Sequence, residues 1–280
     1  MPSTRRLLPP LAVAFGCVAA AAQPDTRAHL GPEETWGDCR LELHDVQGLW
    51  GGRDVYVRGD GAAGVQTVSE AREARRVTLT LPPERARALL RLAAEVDVLG
   101  AEVPDRPGVP DEARPTLVVV DAAGRRRSIA KWDNDPVPAF DRVRTALLAL
   151  EQEAAEREPA GADGYDPTWR PWPRVVVTVS LFSGRPDPTF ELATAADLAD
   201  LRRRLRDLPA ARPVKAPGLG YRGFRLRAAG ADDVPERLEV YGGAITLTGE
   251  AGARTVADRE GLEAWLRARA EAAGIELPAR

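Results

Sequence analysis

Cysteine, histidine, lysine and methionine are all scarce in this 280-residue chain. Two cysteines, Cys17 and Cys39, cannot build a disulfide scaffold or a paired CxxC metal site. Two histidines, His29 and His44, leave no HExxH, and no GxSxG is present. A Ser/His/Asp site would have to recruit His44. No catalytic residue, cofactor or metal site is therefore expected, and the chain does not read as an enzyme. A carboxylate-dependent hydrolase is the one enzymatic alternative, because acids are plentiful and their spacing in space is invisible here. Excess charge of one sign is also missing: 39 basic and 42 acidic residues give a net charge of -3. That balance argues against a nucleic-acid partner. Lysine appears only as Lys131 and Lys215, so the basic side chains are almost all arginines, a pattern of GC-rich coding rather than of function.

The apolar run Leu7–Ala22 is 16 residues, short of the ~20 that cross a bilayer. Arg5-Arg6 precedes it and Ala20-Ala21-Ala22 closes it with small residues, which reads as a signal peptide over 1–22. The alternative is a lipoprotein leader, 1–16, with lipid attached at Cys17. Either route leaves Cys39 without an intrachain partner. Both place the protein outside the cytoplasm (periplasmic, secreted or lipid-anchored), with the membrane reached only through Cys17.

Residues 23–37 read as a polar tether. A first domain over 38–156 follows. Leu41/Leu43, Val55/Val57 and Val77/Leu79/Leu81 alternate as half-buried strands do. Pro82-Pro83 opens a helix with Ala86, Leu89, Leu90 and Ala93 on one face. Asp121-Ala-Ala-Gly124 predicts a hairpin, and Phe140, Val143, Leu147 and Leu150 predict a second helix. Asp135 is expected to cap that helix, with Pro136 at its first position. Residues 157–173 form a proline-stiffened linker whose Trp169 and Trp172 are expected to pack onto a neighbouring domain.

A second domain, 174–280, runs from the strand Val175–Phe182 through Ser183-Gly184-Arg185-Pro186-Asp187-Pro188. A helix capped by Thr194 comes next, then the strand Tyr221–Arg227, a hairpin through Gly242-Gly243 and a helix capped by Asp258. The shared order of strand, helix, hairpin and helix suggests a degenerate in-order duplication. The fold class is α+β: two tandem domains, each a small antiparallel sheet with two helices on one face.

Two stiff or glycine-rich motifs carry the binding candidates. Pro186 and Pro188 remove two donors and fix φ, so Arg185 and Asp187 project from a preorganised loop, unless the loop is only a strand-to-helix corner. GLGYRGF contributes Tyr221 and Arg222, with Tyr221 and Phe224 as core or rim aromatics. It is no dinucleotide fingerprint, since no helix follows. Arg58-Gly59-Asp60 reads as a turn rather than an adhesion motif.

SGRPDP after a strand, with GLGYRGF beyond it, resembles an uncharacterised family of bacterial exported proteins over about Val175–Leu266. The resemblance implies export and carries no catalytic residues. The first half, through its short strands, LPPERARALLRLAAEVDVLG, hairpin and helix, is similar to emfourin-type inhibitors of thermolysin-like metalloproteases. In that comparison Gly48-Leu-Trp-Gly-Gly52 stands where the family has its glycine-rich first turn. The resulting expectation is an exported, non-enzymatic protein that binds a ligand or another exported protein. Inhibition of an exported metalloprotease is the narrower alternative.

Overall fold

The computed structural model describes residues 25–159, 164–182, 184, 186–249 and 252–278. The expectations for Cys17, the leader and Arg185 lie outside the described residues. The fold is mixed α+β, with two six-stranded antiparallel sheets. No described helix is long and apolar enough to cross a membrane.

The first sheet holds β1 (Arg40–Gln47), β2 (Gly51–Arg58), β3 (Ala62–Val68), β4 (Ala74–Thr80), β5 (Thr116–Val120) and β6 (Arg126–Ala130), with α2 (Pro83–Glu95) and α3 (Pro138–Ala155) between and after them. The second holds β7 (Arg174–Phe182), β8 (Thr189–Leu192), β9 (Gly220–Ala229), β10 (Arg237–Tyr241), β11 (Ala244–Gly249) and β12 (Gly252–Ala257), with α4 (Ala195–Arg204) and α5 (Leu262–Ala272).

The alternation seen in the sequence is the core pattern. Leu41, Leu43, Val55, Val57, Val77 and Leu79 turn inward to meet Ala86, Leu90, Phe140, Val143, Leu147 and Leu150 of α2 and α3. A separate cluster joins Val175, Val177, Val179, Phe224, Leu226 and Val240 to Leu198, Leu201, Leu262 and Leu266. Burial of this kind stabilises by about 25 cal/mol per Å² of apolar surface.

The spatial strand orders are β4-β3-β2-β1-β5-β6 and β12-β11-β10-β9-β7-β8. Both read as a four-stranded meander flanked by a hairpin. In the chain, however, the first runs meander, helix, hairpin, helix, and the second runs hairpin, helix, meander, helix. The relation is therefore a cyclic permutation, not the in-order repeat expected. Hydrophobic period identifies strands but not their neighbours, so the offset that matched β5–β6 to β10–β11 paired the wrong elements.

Other expectations also change. Residues 25–36 are not a tether: Thr26–Leu30 form a short helix, α1, and Leu30 and Trp36 are buried. Polar bonds secure it, since the Thr26 N–H and hydroxyl both donate to Asp97 Oδ1 (2.8 and 3.0 Å) and Leu99 N–H donates to Thr26 Oγ1 (2.9 Å). Asp135 does not cap α3, which starts at Pro138. Asp135 instead accepts from Arg106 Nε at 2.7 Å, while Asp141 accepts from Val137 N–H at 3.1 Å. β7 and β8 pair antiparallel, so after SGRPDP the chain returns along β7 rather than passing from strand to helix. Arg58 and Asp60 pair with each other at 2.6 Å across the Arg-Gly-Asp turn, as turn chemistry requires. Thr194 caps its helix, accepting from Asp197 N–H (3.0 Å), whereas the cap position of α5 is Gly261, and Asp258, three residues before it, accepts from the Leu262 and Glu263 N–H groups (2.6 and 2.8 Å).

Candidate functional site: a groove on the second sheet

The groove begins with a bulge. Between Val179 and Leu181 of β7 the pairing with β9 shifts, so that Phe224 lies opposite Val179 and Tyr221 opposite Leu181. Two residues of β9, Arg222 and Gly223, therefore face one residue of β7. Gly223 has φ +93°, and a Cβ there would run into the Val240 carbonyl. Only glycine fits, which explains the spacing of GYRGF. The bulge leaves both Tyr221 and Phe224 against the core and turns Arg222 to the opposite face.

Tyr221 and Arg222 thus serve different sides. Tyr221 packs against the core cluster, its hydroxyl donates to Glu263 Oε1 at 3.0 Å, and Arg267 lies 4.1 Å over its ring. Burial and the neighbouring Glu263 raise its pKa well above the ordinary phenol value. Arg222 lines a cavity of about 500 Å³ with Asp187, Ser180, Glu239, Tyr241 and Val214. Asp187 accepts from Leu181 N–H at 2.9 Å and from Arg225 Nη2 at 2.8 Å, which fixes the end of the β7–β8 turn. Three loops rim the cavity: this turn, residues 212–219 and the β10–β11 turn at Gly242-Gly243. Pro186, Pro188, Pro213 and Pro217 stiffen the rim, and Leu219 is 72 % exposed beside it.

A second cavity, of about 1020 Å³, shares Arg225 and Glu239 with the first and extends the groove along β9 past Arg227 and Arg237 to the segment 166–174. Together they follow the outward face of β7, β9 and β10. Arg222 and Arg227 make no ion pair or hydrogen bond among the described residues, whereas Arg225 is held by Asp187 and Arg237 by Glu236 at 3.5 Å.

The matching face of the first sheet is closed. Residues 164–172 lie over it: a Cβ on Gly64 would come 2.6 Å from Pro171 Cβ and 2.8 Å from Trp169 Cη2. Tyr56, Trp172 and Ala193 form a small buried cluster there, bordered by Trp169. Beneath the segment sits a polar network that the sequence did not announce. Glu42, fully buried, accepts from Arg126 and Arg170 (3.0 Å each) and meets His44 Nε2 at 3.3 Å. Asp54, also fully buried, accepts from the Tyr56 and Tyr165 hydroxyls at 3.2 and 3.1 Å. Burial alone would raise the Glu42 pKa, but its cationic neighbours outweigh this and hold it below the carboxylate range. Burial would lower His44, yet Asp54 and Glu42 hold it above its ordinary value.

Cys39, buried and free, has its thiol pushed up to about 12 by burial, which leaves it unreactive at neutral pH. Among the described residues no cluster of three or more His, Cys, Asp or Glu is placed to hold a metal ion. No family model, curated protein or solved structure matches this chain.

Proposed function

We propose that this is an exported, non-enzymatic binding protein of two α+β domains, 38–156 and 174–280, each with both helices on one face of its sheet. The ligand site is the groove on the open face of the second. One observation carries the reading: stiff proline-bearing loops surround a preformed polar cavity lined by Arg222, which has no partner among the described residues. Preformed concave sites with a few placed polar groups lose little entropy on binding. A hydrolytic role is less well supported, because Asp187, the carboxylate at the mouth, is already committed to Leu181 N–H and Arg225.

Panning a phage-displayed random-peptide library on the purified chain tests the reading. Enrichment that Arg222→Glu abolishes is expected. Clones that bind Arg222→Glu and wild type alike would remove the groove as the site.

A second reading, inhibition of an exported metalloprotease, draws support from the β1–β2 tip. Leu49 and Trp50 are each 61 % exposed. Gly51 (φ +72°) and Gly52 (φ +134°) lock the turn beneath them, since a Cβ at either would strike the backbone of Ser69 or Asp45. An exposed tryptophan on a rigid loop suits a protein pocket. Inhibition of a thermolysin-like protease that Trp50→Ala removes is the expected result; no inhibition at micromolar excess rejects it.

A further inference from the structure

The two sheets share one strand order, and β1 and β2 occupy the places of β9 and β10. On the first sheet that face carries buried acids, and a segment of the same chain covers it with a cation: Arg170, only 6 % exposed, reaches Glu42. On the second sheet β9 carries arginines instead, while β10 sets Glu239 opposite Arg225. Arg222, Arg225 and Arg227 follow one another along β9, and Arg237 stands opposite Arg227. No described segment covers them.

The geometry points to an acidic polypeptide segment of a partner protein, lying along β9, as the occupant of this groove. The inference rests on the binding reading above and names its ligand class. Backbone donors and acceptors inside the sheet are already used in its ladders, so recognition must come from side chains. Guanidinium groups are suited to it, because their planar forks grip carboxylates through two donors. Spacing agrees as well. Arg225 and Arg227 are two residues apart on one strand, so their stems emerge about 7 Å apart. A strand-like peptide with an acidic residue at every second position presents carboxylates at that same interval. Thr178, Ser180 and Thr246 add hydroxyls along the track. The precedent within the chain is residues 164–172, which cover the equivalent surface by the same exchange of charge with the signs reversed.

The test is fluorescence anisotropy with a labelled octapeptide alternating Glu and Thr, against the same peptide with Lys for Glu. Wild type is expected to bind the acidic probe, and more weakly as salt rises. The double variant Arg222→Ser/Arg227→Ser, which breaks no described contact, is expected to weaken binding about tenfold or more. Arg142→Ser on α3, an exposed arginine far from the groove, should change nothing. Equal affinity for both peptides, or an unchanged double variant that remains folded by circular dichroism, overturns the proposal. So does tighter binding of heparin or a single-stranded oligonucleotide at the same arginines, since the groove would then prefer another polyanion. If library panning yields groove-dependent clones that are not acidic, the groove stands and this ligand class falls. If no clone depends on the groove, both fall.

Discussion

Replacing Glu42 by Gln keeps the volume and removes the charge from a fully buried carboxylate that meets Arg126, Arg170 and His44. Arg126 is 42 % exposed and regains water when the charge is lost, so its share is small. Arg170 is 6 % exposed and stacks 4.4 Å over Tyr56, and its other hydrogen bonds go to the neutral Pro167 and Trp169 carbonyls, which cannot replace the lost charge. Leaving such a cation unpaired costs about 3–5 kcal/mol. For a chain of this size that lowers the melting temperature by roughly 6–20 °C. Urea unfolding followed by tryptophan emission is the assay, because Trp169 and Trp172 border the same cluster. If buried charge is the cause, adding Arg170→Met to Glu42→Gln should recover part of the loss. A shift below about 1 kcal/mol for Glu42→Gln, or purely additive effects in the double variant, would refute the reasoning.

Three further outcomes are expected. His44 has a folded pKa above its ordinary value of 6.5, so its stabilising charge is fully present below that pH and is lost as pH rises through the folded value. Wild-type stability should therefore fall across that alkaline-going window, and His44→Gln should flatten the profile in urea titrations at successive pH values. Gly223→Ala should destabilise by about 3 kcal/mol or more, because the φ is positive and the new Cβ meets the Val240 carbonyl, whereas Gly220→Ala, with φ +81° and open space, should cost only about 1–2 kcal/mol. Gly64→Ala should push Pro171 and Trp169 off the first sheet and raise limited proteolysis within 157–173. Unchanged cleavage would mean that this contact does not hold the segment.

Much of the fold was legible because apolar period and cap chemistry are local. Leu41, Leu43, Val55 and Val57 face the core as alternation predicts, and Thr194 caps as its side chain permits. Trp169 and Trp172 pack as expected for aromatics in a proline-stiff linker. What failed was non-local. Residues 25–36 lack a period of their own and are held by Asp97, far along the chain. The permuted strand order depends on which edges meet, and single-strand patterns do not encode that. At the site, the motif spacing pointed to Asp187 and Arg222, which line one cavity, and to Tyr221, which lines a separate one with Glu263 and Arg267. The difference is a one-residue bulge, and Gly223 was its only trace. The His44–Asp54 juxtaposition had a better signal. The glycine-locked turn at 48–52 sets the β1–β2 register and places the two residues opposite each other.

The two outward faces of one architecture differ in what covers them. On the first sheet, Glu42, His44 and Asp54 point away from the apolar core and would lie under solvent if nothing covered them. Their burial is supplied by residues 164–172, whose prolines, Pro167 and Pro171, shorten the list of alternative conformations and so lessen the entropy lost in staying down. Arg40 and Arg174, both buried, then share Glu191 of β8. Arg174 also donates to the Thr168 carbonyl of the covering segment, so peeling that segment away would expose several charges together. Such a face is a joint. The second sheet has the same spatial strand order, but its outward charges are mostly exposed, and Arg222 and Arg227 have no partner among the described residues. Burying them is unfavourable until a partner brings the opposite charge. On the binding reading proposed above, selectivity for an acidic partner comes from the same electrostatics that hold the joint closed, and reversing Arg222 should abolish binding without loosening the fold.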